Sequence, residues 1–201
     1  MSKQAVIRVA EEQDVPQILG IYAPYILKSA VSFEITVPSE KEMWERILAI
    51  IRNYPYLVCE IGNRIAGYAY ASEHRHREAY RWSKEVSVYV HPEFRGKHIA
   101  SALYSVLFEI LKFQGITNLL AGVTIPNPAS IRFHEKLGFS KIGEYTAVGY
   151  KQGKWHNVGW WELNFNPRME PPAEKIVPFS DMVGSGFLND AFSVAEGKII
   201  L

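Results

Sequence analysis

Between residues 85 and 113 the hydrophobic period of the chain switches from two to 3.6 across one short turn. Glu85-Val86-Ser87-Val88-Tyr89-Val90 reads as a strand, and 99–113 reads as a long amphipathic helix stopped near Gly115. The turn between them carries a proline, a glycine and basic residues. A strand running so directly into a helix leaves several backbone N–H groups unpaired at the helix N-terminus, where the dipole also favours negative charge. A pyrophosphate suits such a place, and Arg95 and Lys97 would add charge to it. An ordinary strand–turn–helix with solvated basic residues has the same local pattern, and the turn alone does not separate the two readings.

The flanking segments set the fold class. Residues 6–9 alternate as a short strand. Asp14 is positioned as an N-cap, with Pro16 in the first turn and Ile18, Leu19, Tyr22 and Ile26 at helical spacing; Pro24 is expected to bend or break that helix. Ser39 and Glu42 form a capping box for a second helix with an apolar face from Met43 to Ile51. Strands over 56–61 and 65–71, joined at Gly62-Asn63, make a hairpin, and a charged loop over 72–81 follows. After the long helix come a strand over 119–125, a helix from Asn127-Pro128 ended by Gly138, and strands near 145–151 and 158–165. Antiparallel strands first, then strand–helix–strand–helix–strand, predict a mixed α/β (α+β) sheet with helices on both faces. This core spans 1–165. Pro167, Pro171, Pro172 and Pro178 break the pattern beyond it, so 166–201 is expected to be a tail, poorly ordered unless docked.

Composition narrows the partners. The 201 residues carry a formal net charge of +1, so no global field draws in nucleic acid or an anionic membrane, and any anion must be held locally. The single cysteine, Cys59, lies in an apolar run and reads as a buried small hydrophobe. The N-terminal residues show no apolar signal core, and no stretch is long and apolar enough to span a bilayer. A cytoplasmic protein is expected.

A second segment, Asn127-Pro128-Ala129-Ser130 with Leu137-Gly138-Phe139 after it, follows the next strand at a matching distance. Together with Arg95-Gly96-Lys97-His98-Ile99-Ala100 it resembles the GNAT superfamily of acetyltransferases. The likeness is closer still to the phosphinothricin and methionine sulfoximine N-acetyltransferase subgroup, through Val31-Ser32-Phe33-Glu34, Tyr54-Pro55, Ala79-Tyr80 and Gly149-Tyr150-Lys151-Gln152-Gly153-Lys154-Trp155. It covers about residues 5–165.

The resemblance implies a bent mixed sheet whose central strands splay to admit the pantetheine arm of acetyl-CoA. Val88, Tyr89 and Val90 would offer backbone groups to the arm. Arg95, Gly96, Lys97, His98, Ile99, Ala100 and Ser101 would cradle the pyrophosphate, and Asn127 would hold the arm from the other side, a plain turn residue being its alternative. A family glycine is His98 here, and cradling was expected to survive if its φ were negative. Direct acetyl transfer needs a neutral amine and an acid for the departing thiolate. Glu85 is the candidate base; its alternative is a strand-end carboxylate paired with Lys84, Arg75 or Arg77. His134 is the candidate acid, or else an ordinary hydrogen-bonded helix residue. Arg75 and Arg77 alternate, so in extended backbone both would point one way as a fork for substrate oxygens, with Phe33 and Tyr80 lining the pocket. The implied substrate is a small amino-acid-like amine, with no metal, and homodimers are usual in the subgroup. A protein N-terminal or ribosomal-protein acetyltransferase and a non-catalytic CoA-binding sensor are the alternatives.

Overall fold

The computed structural model describes residues 4–166 and 170–201. In chain order the elements are β1 (Ala5–Val9), α1 (Val15–Lys28), α2 (Glu40–Ile51), β2 (Tyr56–Ile61), β3 (Arg64–Glu73), β4 (Ser83–Val90), α3 (Ile99–Phe113), β5 (Asn118–Ile125), α4 (Pro128–Lys136), β6 (Ser140–Lys151), β7 (Lys154–Asn164) and α5 (Gly186–Glu196). The strands form one sheet in the order β1-β2-β3-β4-β5-β7-β6. Neighbours are antiparallel except the central pair β4–β5, which is parallel. The mixed α/β expectation holds. Among the described residues no helix is long and apolar enough to cross a membrane.

Each face of the sheet buries its own apolar cluster. Ile18, Ile21 and Ile47 of α1 and α2 pack on Val58 and Tyr68. Opposite, Leu103, Leu107 and Leu111 of α3 pack on Leu57, Ala69 and Leu119. Strand alternation sorts β4 between the two: Lys84 and Val86 are buried on the α3 side, leaving Glu85, Ser87 and Tyr89 on the α1 side.

Two expectations change. Pro24 sits inside an unbroken α1, because buried Ile21 and Ile26 anchor the helix before and after it and offset the missing hydrogen bond. Asp14 does not cap α1 with its side chain. Its buried carboxylate instead takes both ends of the Arg8 guanidinium, at 2.6 and 2.7 Å, and accepts the Glu11 N–H. The segment over 170–201, expected to be poorly ordered unless docked, is docked. Phe179 and Leu188 are fully buried in the α3-side cluster, and Phe187 stacks on Phe113 with ring centres 4.7 Å apart. Gln114 donates to the carbonyls of Asn53 and Val177, Trp82 donates to that of Ala173, and the Glu196 carboxylate accepts the Ile7 N–H on the outer edge of β1. Around Pro178 the chain is held by backbone bonds, from the Val177 N–H to the Gln114 carbonyl and from the Phe179 N–H to the Asn53 carbonyl; Pro167 lies outside the described residues.

Candidate active site

The parallel pairing of β4 and β5 covers only Ser83–Glu85 against Asn118–Leu120. Beyond Glu85 the two strands part, and a cleft opens that is lined by Val88 and Tyr89 on one side, Val123 on the other, and Tyr104, Asn127 and His134 below. The N–H of His91 donates to the Ala66 carbonyl (2.9 Å). Strand alternation therefore turns the backbone of Tyr89 toward β3, and that of Val88 and Val90 toward the open side. Of the three residues expected to offer backbone groups, Val88 and Val90 have theirs on the open side. Tyr89 contributes its ring, set edge-on to Tyr22 and Tyr25.

At the end of β4 the turn winds through Gly96 at φ 78° and His98 at φ 62° before α3 begins. The condition placed on His98, a negative φ, is not met. The histidine takes the left-handed conformation that a glycine would take there, and so keeps the turn's path at a steric cost. The first bond of α3 runs from the Ala102 N–H to the His98 carbonyl, which leaves the N–H groups of Ile99, Ala100 and Ser101 for a ligand. The Ile99 side chain is buried, which leaves its backbone alone facing the turn. Arg95 is exposed and donates to the Tyr25 hydroxyl (3.2 Å), while Lys97 gives its carbonyl to the Ile200 N–H of the C-terminal segment.

Asn127 caps α4, its side-chain oxygen accepting the Ser130 N–H at 3.2 Å. The turn role and a place on the cleft wall therefore coexist. About two helical turns on from Asn127, His134 is buried. Its Nδ1 lies 2.8 Å from the Ser130 carbonyl, which fixes the proton there, and its Nε2 accepts from the Tyr104 hydroxyl at 3.3 Å. Burial pushes the imidazole below its ordinary pKa, the Ser130 bond opposing that shift, so the ring is neutral near pH 7. Tyr104, fully buried on α3, completes this pair. Sequence reasoning missed it, because it reads as one more apolar-face residue of the helix.

Glu85, the third residue of β4, is the last to pair with β5; Ser83 before it lines a second cavity, with His74, Tyr80, Asn118, Tyr145 and Trp160, and Val86 after it lines the cleft. None of the three expected ion-pair partners holds Glu85. Lys84 points to the other face, with its ammonium 4.4 Å from the Tyr54 ring centre. His74 is the partner instead, its Nδ1 2.8 Å from Glu85 Oε1. The signal was available in the strand pairing: Ser72 lies opposite Glu85, so His74 falls on the same face at the diagonal position. Asn118 Oδ1 and Trp160 Nε1 are buried without a partner among the described residues, leaving an acceptor and a donor on residues of the second cavity.

The expected substrate residues divide. Tyr80 lines the second cavity, edge-on to His74. The backbone bends at His74, His76 and Arg77, so alternation does not pair Arg75 with Arg77 on one face; both are exposed. Phe33 lies over Gly149, where any side chain would strike its ring, and Val31 rather than Phe33 lines the cleft. Lys151 fixes this loop by donating to the carbonyls of Ser32 and Glu34 at 2.6 and 2.7 Å.

Residues 7–160 match the family model described as an acetyltransferase (GNAT) domain. The phosphinothricin N-acetyltransferase of Streptomyces viridochromogenes is 34% identical over 85% of this chain and 95% of its own. The L-methionine sulfoximine/L-methionine sulfone acetyltransferase of Salmonella typhimurium is 32% identical over 83% and 98%. Among solved structures, a GNAT superfamily phosphinothricin acetyltransferase from Sinorhizobium meliloti, in complex with AcCoA, superposes with a TM-score of 0.81 at 36% identity, covering 88% of this chain and 97% of that one.

Proposed function

The chain belongs to the GNAT acetyltransferase family, and on that footing we propose that it moves the acetyl group of acetyl-CoA onto the amine of a small amino-acid-like compound of the phosphinothricin or methionine sulfoximine type. The observation that carries the reading is the cleft beyond Glu85. A free strand edge at Val88 and Val90 lies in line with the unpaired N–H groups of Ile99, Ala100 and Ser101, a fit for an extended amide-bearing arm ending in a pyrophosphate. When bound, acetyl-CoA supplies the thioester carbon.

Glu85 takes the proton that the amine sheds as its nitrogen bonds to that carbon. In the Tyr104–His134 pair the transferable proton is on the Tyr104 hydroxyl, which gives it to the sulfur as the C–S bond breaks and regains one from water. Neutral His134, with Nδ1–H on the Ser130 carbonyl and Nε2 bare, orients that hydroxyl by accepting from it. Glu144 and Glu162 also line the second cavity. An acceptor's acidic end therefore belongs on the side of Arg75 and Arg77, whose guanidiniums make no ion pair among the described residues. Working as a cytoplasmic homodimer is part of the reading, supported by the exposed Ile142, Tyr145, Val148 and Trp155 on β6 and β7; sedimentation at micromolar protein tests it.

The test is thiol release from acetyl-CoA with phosphinothricin, methionine sulfoximine, amino-acid amides and N-terminal peptides as acceptors. The acidic amino-acid analogues are expected to lead. Arg77→Ala should raise their KM about ten- to a hundredfold with kcat little changed. Preference for peptides would favour the protein N-acetyltransferase alternative, and no release with any amine would favour a sensor. Glu85→Gln should lower kcat about a hundredfold with acetyl-CoA affinity retained; wild-type turnover would remove Glu85 from the chemistry.

A further inference from the structure

We propose that His74 is a positioning residue for Glu85, fixing which carboxylate oxygen faces the amine. The inference rests on reading Glu85 as the base. His74 comes from the loop after β3 and reaches the carboxylate across the strand pair, with Nδ1 2.8 Å from Oε1. Its ring is held on two sides, edge-on to Trp160 at 5.8 Å and to Tyr80 at 6.0 Å, and its side chain is only 15% exposed. An imidazole held this way has little rotational freedom, so its nitrogen fixes the carboxylate in turn.

Glu85 needs such a support. Its side chain is about a third exposed, Lys84 is on the opposite face, and among the described residues no cation of fixed charge reaches it. Without the His74 donor, nothing among the described residues fixes the rotation of the carboxylate. With Oε1 engaged by the Nδ1–H, Oε2 is the oxygen left for the amine. The bond also places a proton on Nδ1, because a carboxylate that takes up the amine's proton can only accept from the ring.

The contact acts through Glu85 and touches neither the thioester nor the arm, so its loss belongs in kcat. His74→Phe keeps a ring between Trp160 and Tyr80 but removes the donor. His74→Asn keeps a donor where Nδ1 was, and loses the ring. Stopped-flow or steady-state kinetics on the full chain should give about a tenfold or greater fall in kcat for His74→Phe, with KM for acetyl-CoA unchanged. His74→Asn should recover most of that loss. In a double-mutant cycle, adding His74→Phe to Glu85→Gln should cost nothing further. Wild-type kcat in His74→Phe, no recovery in His74→Asn, or a loss that adds in full to that of Glu85→Gln would each overturn the positioning role. Wild-type speed in Glu85→Gln alone would instead overturn the base reading beneath it, so the two failures are distinct.

Discussion

His98 holds φ at 62° in a turn whose path also requires Gly96 at φ 78°. For a residue with a Cβ the left-handed region costs about 1–2 kcal/mol, against about 0.5–1 kcal/mol for the extra unfolded-state freedom of glycine. His98→Gly should therefore leave stability unchanged or raise it by up to about 1 kcal/mol, while β-branched His98→Val should lower it by more than about 1 kcal/mol. Urea melts of the two variants check this, and equal losses in both would mean that the turn has other freedom. The sequence made this residue's substitution visible but not its φ, since the conformation is imposed by the elements on either side. His134 adds a pH effect. Its pKa is lower folded than unfolded, so the unfolded chain binds the proton first as pH falls. The contribution is complete above about pH 6.5 and is lost as the pH drops toward the folded value. Stability measured at pH 7.5 and 5.5 should fall less in His134→Gln than in wild type; an identical fall would place the titration elsewhere.

At the scale of elements, the strands and helices with strong periodicity were legible, and so were the Ser39–Glu42 capping box and the strand–turn–helix of β4 and α3. What could not be read is where distant segments meet. β4 and β5 are parallel neighbours for only three residue pairs, a property of the sheet's curvature that neither strand's composition reports. The same limit hid α5, whose apolar face is short and whose partners in α3 and β1 lie more than seventy residues away. Because Phe179, Met182 and Leu188 are buried in the main cluster, the C-terminal segment is a structural part of the domain. Ending the chain at Asn166 should expose that cluster and lower the melting temperature sharply or make the protein insoluble. Phe179→Ala alone should cost about 3–5 kcal/mol. A truncated chain that melts like the full one would show that these contacts add nothing.

Across the whole molecule, the sheet consists of a four-stranded half, β1–β4, and a three-stranded half, β5–β7, joined along a short parallel seam and by α3 packed against both. A formal net charge of +1 gives no long-range pull on a polyanion, so affinity for acetyl-CoA must arise in the cleft and the turn before α3. A ligand seated there would replace the missing strand pairing beyond Glu85 and occupy N–H groups of the first turn of α3 that have no intrahelical partner. It would bind the folded chain and not the unfolded one, so mass action makes acetyl-CoA stabilising by about 2.7 kcal/mol at a hundred times its Kd. The melting temperature should rise with ligand concentration and keep rising after the site is saturated. Amide exchange should slow at Val88, Val90, Ile99, Ala100 and Ser101, but not in β1 beyond the global gain. A 3′,5′-ADP fragment, which has only the anionic end, should protect the α3 amides and leave those of Val88 and Val90 unprotected. Thermal scans and hydrogen exchange read both effects. No thermal shift at millimolar acetyl-CoA, or protection spread evenly over the domain, would mean that the splayed strands are not where the arm lies.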